Sequence, residues 1–166
     1  MAKSRFIIVS LALAVLGATA PARADQAFQR LMPLLIDLDG WQGKKPDGMS
    51  MEMPGGGMTT ATREYQKGST KASAAVMTGQ AAAGALSSMQ AGMNVTTSEG
   101  HVVTDTMQGM KVMKTYATSK KNGALMVALD KDAMFSFSYS GLAEDEALAL
   151  AQKFDWKAIQ AAAKAK

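Results

Sequence analysis

The side chains with the most chemistry to offer in this sequence are its methionines. Fourteen occur in 166 residues, and all but Met1 lie beyond residue 24. They gather in groups. "MSMEMPGGGM" holds Met49, Met51, Met53 and Met58, and "MQGMKVM" holds Met107, Met110 and Met113, close in sequence to His101. Met77, Met89 and Met93 make a third group. A thioether is a soft, neutral ligand that suits Cu(I). It needs no deprotonation, and it survives an oxidising compartment where thiolates are lost to disulfides. Residues i and i+2 of a strand share a face about 6.5–7 Å apart. The MxM spacing could therefore bring two sulfurs onto one ion, and the glycine loop could let Met58 swing in as a third. Met49, Met51, Met53, Met58, His101, Met107, Met110 and Met113 are the candidate metal ligands on this reading. Packing is the competing explanation. Strict alternation of Met49, Met51 and Met53 is what a core-facing strand needs, and flexible methionine fills irregular gaps. The expectation for "MSMEM" is a strand whose methionines face the core, with "PGGGM" a flexible loop. A third reading lies between these, because Met-rich surfaces adapt to varied apolar partners.

Groups that ionise or attack near neutral pH are scarce by comparison. The chain has one histidine, His101, and no cysteine. "PGGGM" lacks the spacing and the Lys-Ser/Thr of a phosphate-binding loop. Asp37/Asp39 and Asp130/Asp132 are acidic pairs, but neither runs on to the glutamate that ends a calcium loop. They read as turn residues. His101 reads as a solvated histidine on an edge strand rather than an acid–base group. No catalytic residue is assigned, a non-enzyme is expected, and no cofactor is called for unless Cu(I) is bound.

The first residues bear on compartment. Lys3 and Arg5 precede a short apolar run, Phe6 to Val15, and "ARA" at 22–24 has the small-x-small form of a secretory cleavage site. The run is shorter than the ~20 residues of a spanning helix. Together these predict a signal peptide over 1–24, cleaved after Ala24, and a periplasmic product with no membrane span. The formal charge of +4 includes Lys3, Arg5 and Arg23, with no acidic residue in the leader, so the product carries +1. No basic stripe is left for nucleic acid, whose phosphates need clustered Lys and Arg. With no disulfide available, stability must come from the core, and residues 25–166 have the length of one ordinary domain.

The periodicities place these residues on elements. Phe28, Leu31, Leu35 and Leu38 recur at helical steps, broken at Pro33, and Trp41 is expected beneath the sheet edge. "MSMEM", "MTTATREYQ" and "TKASAAVMT" read as strands. Residues 79–93 change period, with Ala82, Leu86, Met89 and Met93 on one helical stripe. This helix is rich in Ala and Gly, so methionines on the sheet could supply the missing volume. "HVVTDTM", "KVMKTYATS", "LMVAL" and "MFSFSYS" are further strands. Asn122-Gly123 reads as a hairpin turn with positive φ at both residues. Phe135, Phe137 and Tyr139 alternate with Ser136, Ser138 and Ser140, the mark of a half-buried strand. "AEDEALALAQKFDWKAIQAAAKA" reads as one closing helix, with Glu144, Asp145 and Glu146 favourably placed in its first turn. The expected fold is α+β, a single antiparallel sheet of about seven strands with helices packed mainly on one face.

Gly40-Trp41, the "REYQKG" strand with Arg63 and Tyr65, the Met- and Ala-rich central helix, a "GM…Y" strand pair and the closing "FDWKAI" resemble a group of uncharacterised exported bacterial proteins, over most of residues 28–160. Their arrangement is similar to the PsbP-like α+β fold. The resemblance implies docking or binding more than catalysis, and no site residue is carried over from it. The expected function is an exported, non-catalytic module that binds a partner protein or an apolar ligand. The alternative is a methionine-rich protein that binds or buffers Cu(I).

Overall fold

A computed structural model describes residues 27–52, 54 and 56–165. The expected signal peptide, Asp25 and Met53 lie outside the described residues. The described residues open with a short helix α1 (Ala27–Leu31) and a 3-10 turn (Met32–Leu34), with Pro33 in the first positions of that turn. Two short strands follow, β1 (Gln42–Gly43) and β2 (Asp47–Met51). They are succeeded by the long hairpin β3 (Met58–Lys67) and β4 (Thr70–Gly79). Helix α2 (Gln80–Gln90) leads to a meander of five strands: β5 (Asn94–Thr97), β6 (Gly100–Met107), β7 (Met110–Ala117), β8 (Asn122–Asp130) and β9 (Ala133–Ser140). Helices α3 (Glu144–Ala151) and α4 (Trp156–Lys164) close the chain.

All strands join one antiparallel sheet in the order β1-β3-β4-β9-β8-β7-β6-β5, with β2 sharing the outer edge of β3 with β1. This corrects the expected count of about seven strands: there are nine among the described residues. The two additions were hidden for physical reasons. β1 is only two residues long, and every residue of β5 is exposed, so it carries no alternation.

Two layers cover the sheet, one on each face. On what we term the aromatic face, β9 presents Phe135, Phe137 and Tyr139 to α1, α3 and α4. Phe154 stands at the centre of this layer, with ring centroids 5.1 Å from Phe135, 6.0 Å from Phe137 and 6.4 Å from Tyr65. The expected single closing helix is two helices for this reason. The chain turns at 152–155, the Asp155 carboxylate caps α4 by accepting from Ala158 N–H at 2.9 Å, and Phe154 and Trp156 both reach the core. In an unbroken helix, residues two apart point to opposite sides. Trp156 is fully buried and donates from its indole nitrogen to the Ala151 carbonyl at 3.1 Å. Trp41 packs against the margin of this core.

The stretch 35–44 is tied down from β3. Arg63 donates to the carbonyls of Leu35 at 2.8 Å and Lys44 at 2.9 Å, and it pairs with Asp37. Its guanidinium lies 5.5 Å from the Tyr65 ring centroid. The Tyr65 hydroxyl donates to the Ile36 carbonyl at 2.7 Å. Burial pushes the Tyr65 hydroxyl up to about 12, with nearby Asp37 adding to the rise and Arg63 opposing it.

Asn122-Gly123 is not a turn. The β7–β8 loop is 118–121, and its positive φ falls on Lys121. Gly123 lies inside β8 because a Cβ there would stand 2.2 Å from the Thr115 carbonyl oxygen and 2.6 Å from the Tyr139 hydroxyl. The two consecutive positive-φ residues of a type I′ hairpin are instead Gln108 (52°) and Gly109 (79°), between β6 and β7.

The other face, here the methionine face, carries α2. Ala82, Leu86 and Met89 of the helix meet Met134, with Met77, Met113, Met126 and Ala128 packed around them. Long side chains on the sheet fill the space left by a helix of small residues, as the sequence led one to expect. Met93 leaves the predicted stripe and is exposed. No helix among the described residues is long and apolar enough to cross a membrane.

Candidate functional site

Residues directly opposed across a ladder share a face, so the register sorts every candidate methionine. Met49 opposes Thr60, which opposes Met77, and Met51 opposes Met58. Met49, Met51 and Met58 therefore project from the methionine face, on the strand pair that borders α2. They are not in the core. Met49 is 48% exposed and Met51 43%, and Met58 is half-buried. The expectation that these side chains face inward fails, because β2 is an outer strand and α2 reaches over β4, β9 and β7 without covering it. Alternation correctly gave them a common face, but no helix lies on that part of it.

The second proposed group comes apart. Met107 opposes Met110 on the aromatic face, where both pack at the core margin. Met113 points the other way, into the cluster beneath α2. His101 is at the opposite end of β6 from Met107 and pairs with β5 on one side and β7 on the other, so it is not on an edge. Its Nε2 lies 2.9 Å from Glu144 Oε1, and its ring centroid is 6.1 Å from that of Tyr116. Tyr116 stacks on Tyr139 at 6.4 Å, and burial, followed by the charge of Glu144, pushes the Tyr139 hydroxyl upward. His101 is thus held by a carboxylate rather than free in solvent. It ties β6 to the first turn of α3. Of the eight sequence-derived metal candidates, the described residues bring Met49, Met51 and Met58 together on one exposed corner, while Met107 and Met110 meet only as an opposed pair packed against the core. Among the described residues there is also no group of three or more His, Cys, Asp or Glu side chains able to hold a metal.

The structure adds a second feature that no motif marks. Beyond α2 the methionine face is bare, and there it forms a groove of about 510 Å³. The floor is a lattice of short polar side chains. Glu64, Ser73 and Ser138 lie in one register row, and Gln66, Lys71 and Ser140 in the next. Gln42, Gly43 and Lys44 of the β1 segment wall it at the edge. Lys44 Nζ and Glu64 Oε2 are 2.5 Å apart at this rim, and that hydrogen bond holds the Glu64 carboxyl below the usual carboxylate range. At the far end of the same open face Val95 opposes Val102 and is 51% exposed. The sequence did carry one signal of this floor. Serines at 136, 138 and 140 alternating with aromatics mark a wet side, and Lys71 and Ser73 continue that side onto β4. What it lacked was the β4–β9 pairing that sets the two runs side by side.

No family model, no curated protein and no solved structure matches this chain. The site therefore has to be interpreted from its own geometry.

Proposed function

We propose that this chain is an exported, non-catalytic binding module that takes a protein partner or ligand on the part of the methionine face left open by α2. The observation carrying this reading is the groove itself. Its volume lies within the ~300–1,000 Å³ usual for ligand sites. Its floor offers hydroxyl, amide and charged groups for orientation. Exposed apolar side chains stand elsewhere on the same face, Met49 and Met51 on the outer strand β2 and Val95 on the far border strand β5, each more than 40% exposed. Methionine exposed on a sheet border adapts to partners of different shape. The likeness of the "REYQKG" and "FDWKAI" segments to exported bacterial proteins points the same way.

Two experiments test the reading. A photo-crosslinking amino acid replaces Ser138 on the groove floor or, as a control, Asp145 on α3 behind the opposite face. The chain is produced in its own cells and irradiated. A discrete adduct from position 138, absent at 145 and competed away by unlabelled protein, supports the groove. Equal labelling at both positions would overturn it. Export is read by N-terminal sequencing of the fractionated protein. A chain beginning at Asp25 in the periplasmic fraction is expected, whereas one retaining the leader in the cytoplasm would sink that part of the proposal.

A further inference from the structure

We infer that Met49, Met51 and Met58 form a three-thioether site for Cu(I) at the β2–β3 corner of the methionine face. Independently of any partner in the groove, three observations converge here. The first is register. Met51 and Met58 are directly opposed, and Met49 lies two residues before Met51 on the same face. Opposed residues stand about 5 Å apart and i, i+2 residues about 6.5–7 Å apart. Side chains with three rotatable bonds span such separations and can turn their sulfurs towards one point.

The second observation is exposure. Five methionines on this face have a packing role, since Met77, Met89, Met113, Met126 and Met134 fill the cluster around α2. Met49 and Met51 have none, being 48% and 43% exposed on an outer strand. Long apolar side chains on a sheet edge invite unwanted association, which proteins ordinarily prevent with charge or proline. Packing therefore does not account for this pair.

The third observation is the surroundings. The residues in the register rows of the three methionines are Thr60, Gly79 and Met77, which are neutral; the nearest carboxylate on this face is Asp47, one row away from Met49, and its Oδ1 accepts from Gly48 N–H at 2.8 Å. Met77 is diagonal to Met58, about 7–8 Å away by strand geometry, and forms the apolar wall on the α2 side. A neutral sulfur set with no imidazole or carboxylate in its register rows discriminates against Zn(II) and other borderline cations. It favours a soft monovalent ion. Binding requires no electron transfer and no proton release, because the ligands are neutral and the metal arrives as Cu(I).

The experiment uses residues 25–166 with ¹³C-labelled methionine methyl groups, under reducing, anaerobic conditions. Cu(I) is offered from a colorimetric chelator, and Ag(I) serves as a redox-inert probe in the methyl spectrum. The expected result is stoichiometric withdrawal of Cu(I), with methyl shifts at Met49, Met51 and Met58 and none at Met89 or Met134. Met51→Leu with Met58→Leu keeps the apolar volume and should abolish withdrawal while the remaining methyl spectrum stays folded. Met107→Leu with Met110→Leu should leave withdrawal unchanged. No competition with the chelator, or competition that survives Met51→Leu with Met58→Leu, overturns the site. So does competition lost in the 107/110 variant. None of these results touches the crosslinking test of the groove.

Discussion

The two faces of this sheet are made by alternate residues of the same strands, yet they are built on different principles. The aromatic face is packed by rings whose relative positions are specific, with three helices clamped over it and Arg63 and Tyr65 fastening the leading segment. The methionine face is packed by flexible side chains under one small-residue helix, which reaches β4, β9 and β7 and leaves the rest of it open. Rings fix a structure because few arrangements satisfy them. Methionines tolerate several. Stability rests chiefly on the aromatic face, and part of the methionine face is left uncovered.

The comparison makes graded predictions. The largest effect is expected for Phe154→Ala, since this ring touches three others across the layer. A loss of about 3–5 kcal/mol in urea unfolding is expected, and a loss under about 1 kcal/mol would break the contrast. Met134→Ala, beneath α2, should cost about 2 kcal/mol, the low end for a buried methionine, because Met77 and Met126 can move into the space. A cost equal to that of Phe154→Ala would show the two layers to be equally rigid. Tyr65→Phe should cost about 1 kcal/mol at neutral pH through the lost hydrogen bond to Ile36. It should also change the alkaline limb. Tyr65 ionises at about 12 in the folded chain against 10.0 as a free group. The unfolded chain therefore loses its proton first, and stability that is complete below pH 10 falls as pH rises from 10 towards 12. In the phenylalanine variant this fall should be shallower, measured as the urea midpoint against pH. The smallest effect is expected at the open corner, where Met49→Leu and Met51→Leu should stay within about 0.5 kcal/mol of the parent.

Much of this architecture was legible because it is periodic. Phe135, Phe137 and Tyr139 against Ser136, Ser138 and Ser140 declared a strand with one wet side. Ala82, Leu86 and Met89 declared a helical stripe, and its small residues pointed to methionine filling on the sheet. What periodicity cannot carry is which elements cover which face. Alternation put Met49 and Met51 on one side together. Only the strand order shows that this side of β2 lies beyond the reach of α2. The same limit split the Met107, Met110 and Met113 group, whose short spacing in sequence straddles the sheet. Gly123 was misleading for another reason. Its dipeptide fits a turn, but the Tyr139 hydroxyl and the Thr115 carbonyl need its missing side chain inside a strand. The break before Asp155 was similarly masked, because a strong helical composition runs on either side of it.

A sheet that does not close has two borders, and each is a row of backbone groups to which another chain could add itself. Here both are short. On one side β1 and β2 divide the outer margin of β3 between them, with Lys45 and Pro46 in the gap. Proline has no N–H to offer and lysine resists close stacking of copies. On the other side β5 ends after four residues. An incoming strand would find a few rungs and then an interruption. The chain can thus leave part of one broad face uncovered while giving amyloid-like growth little ladder to extend.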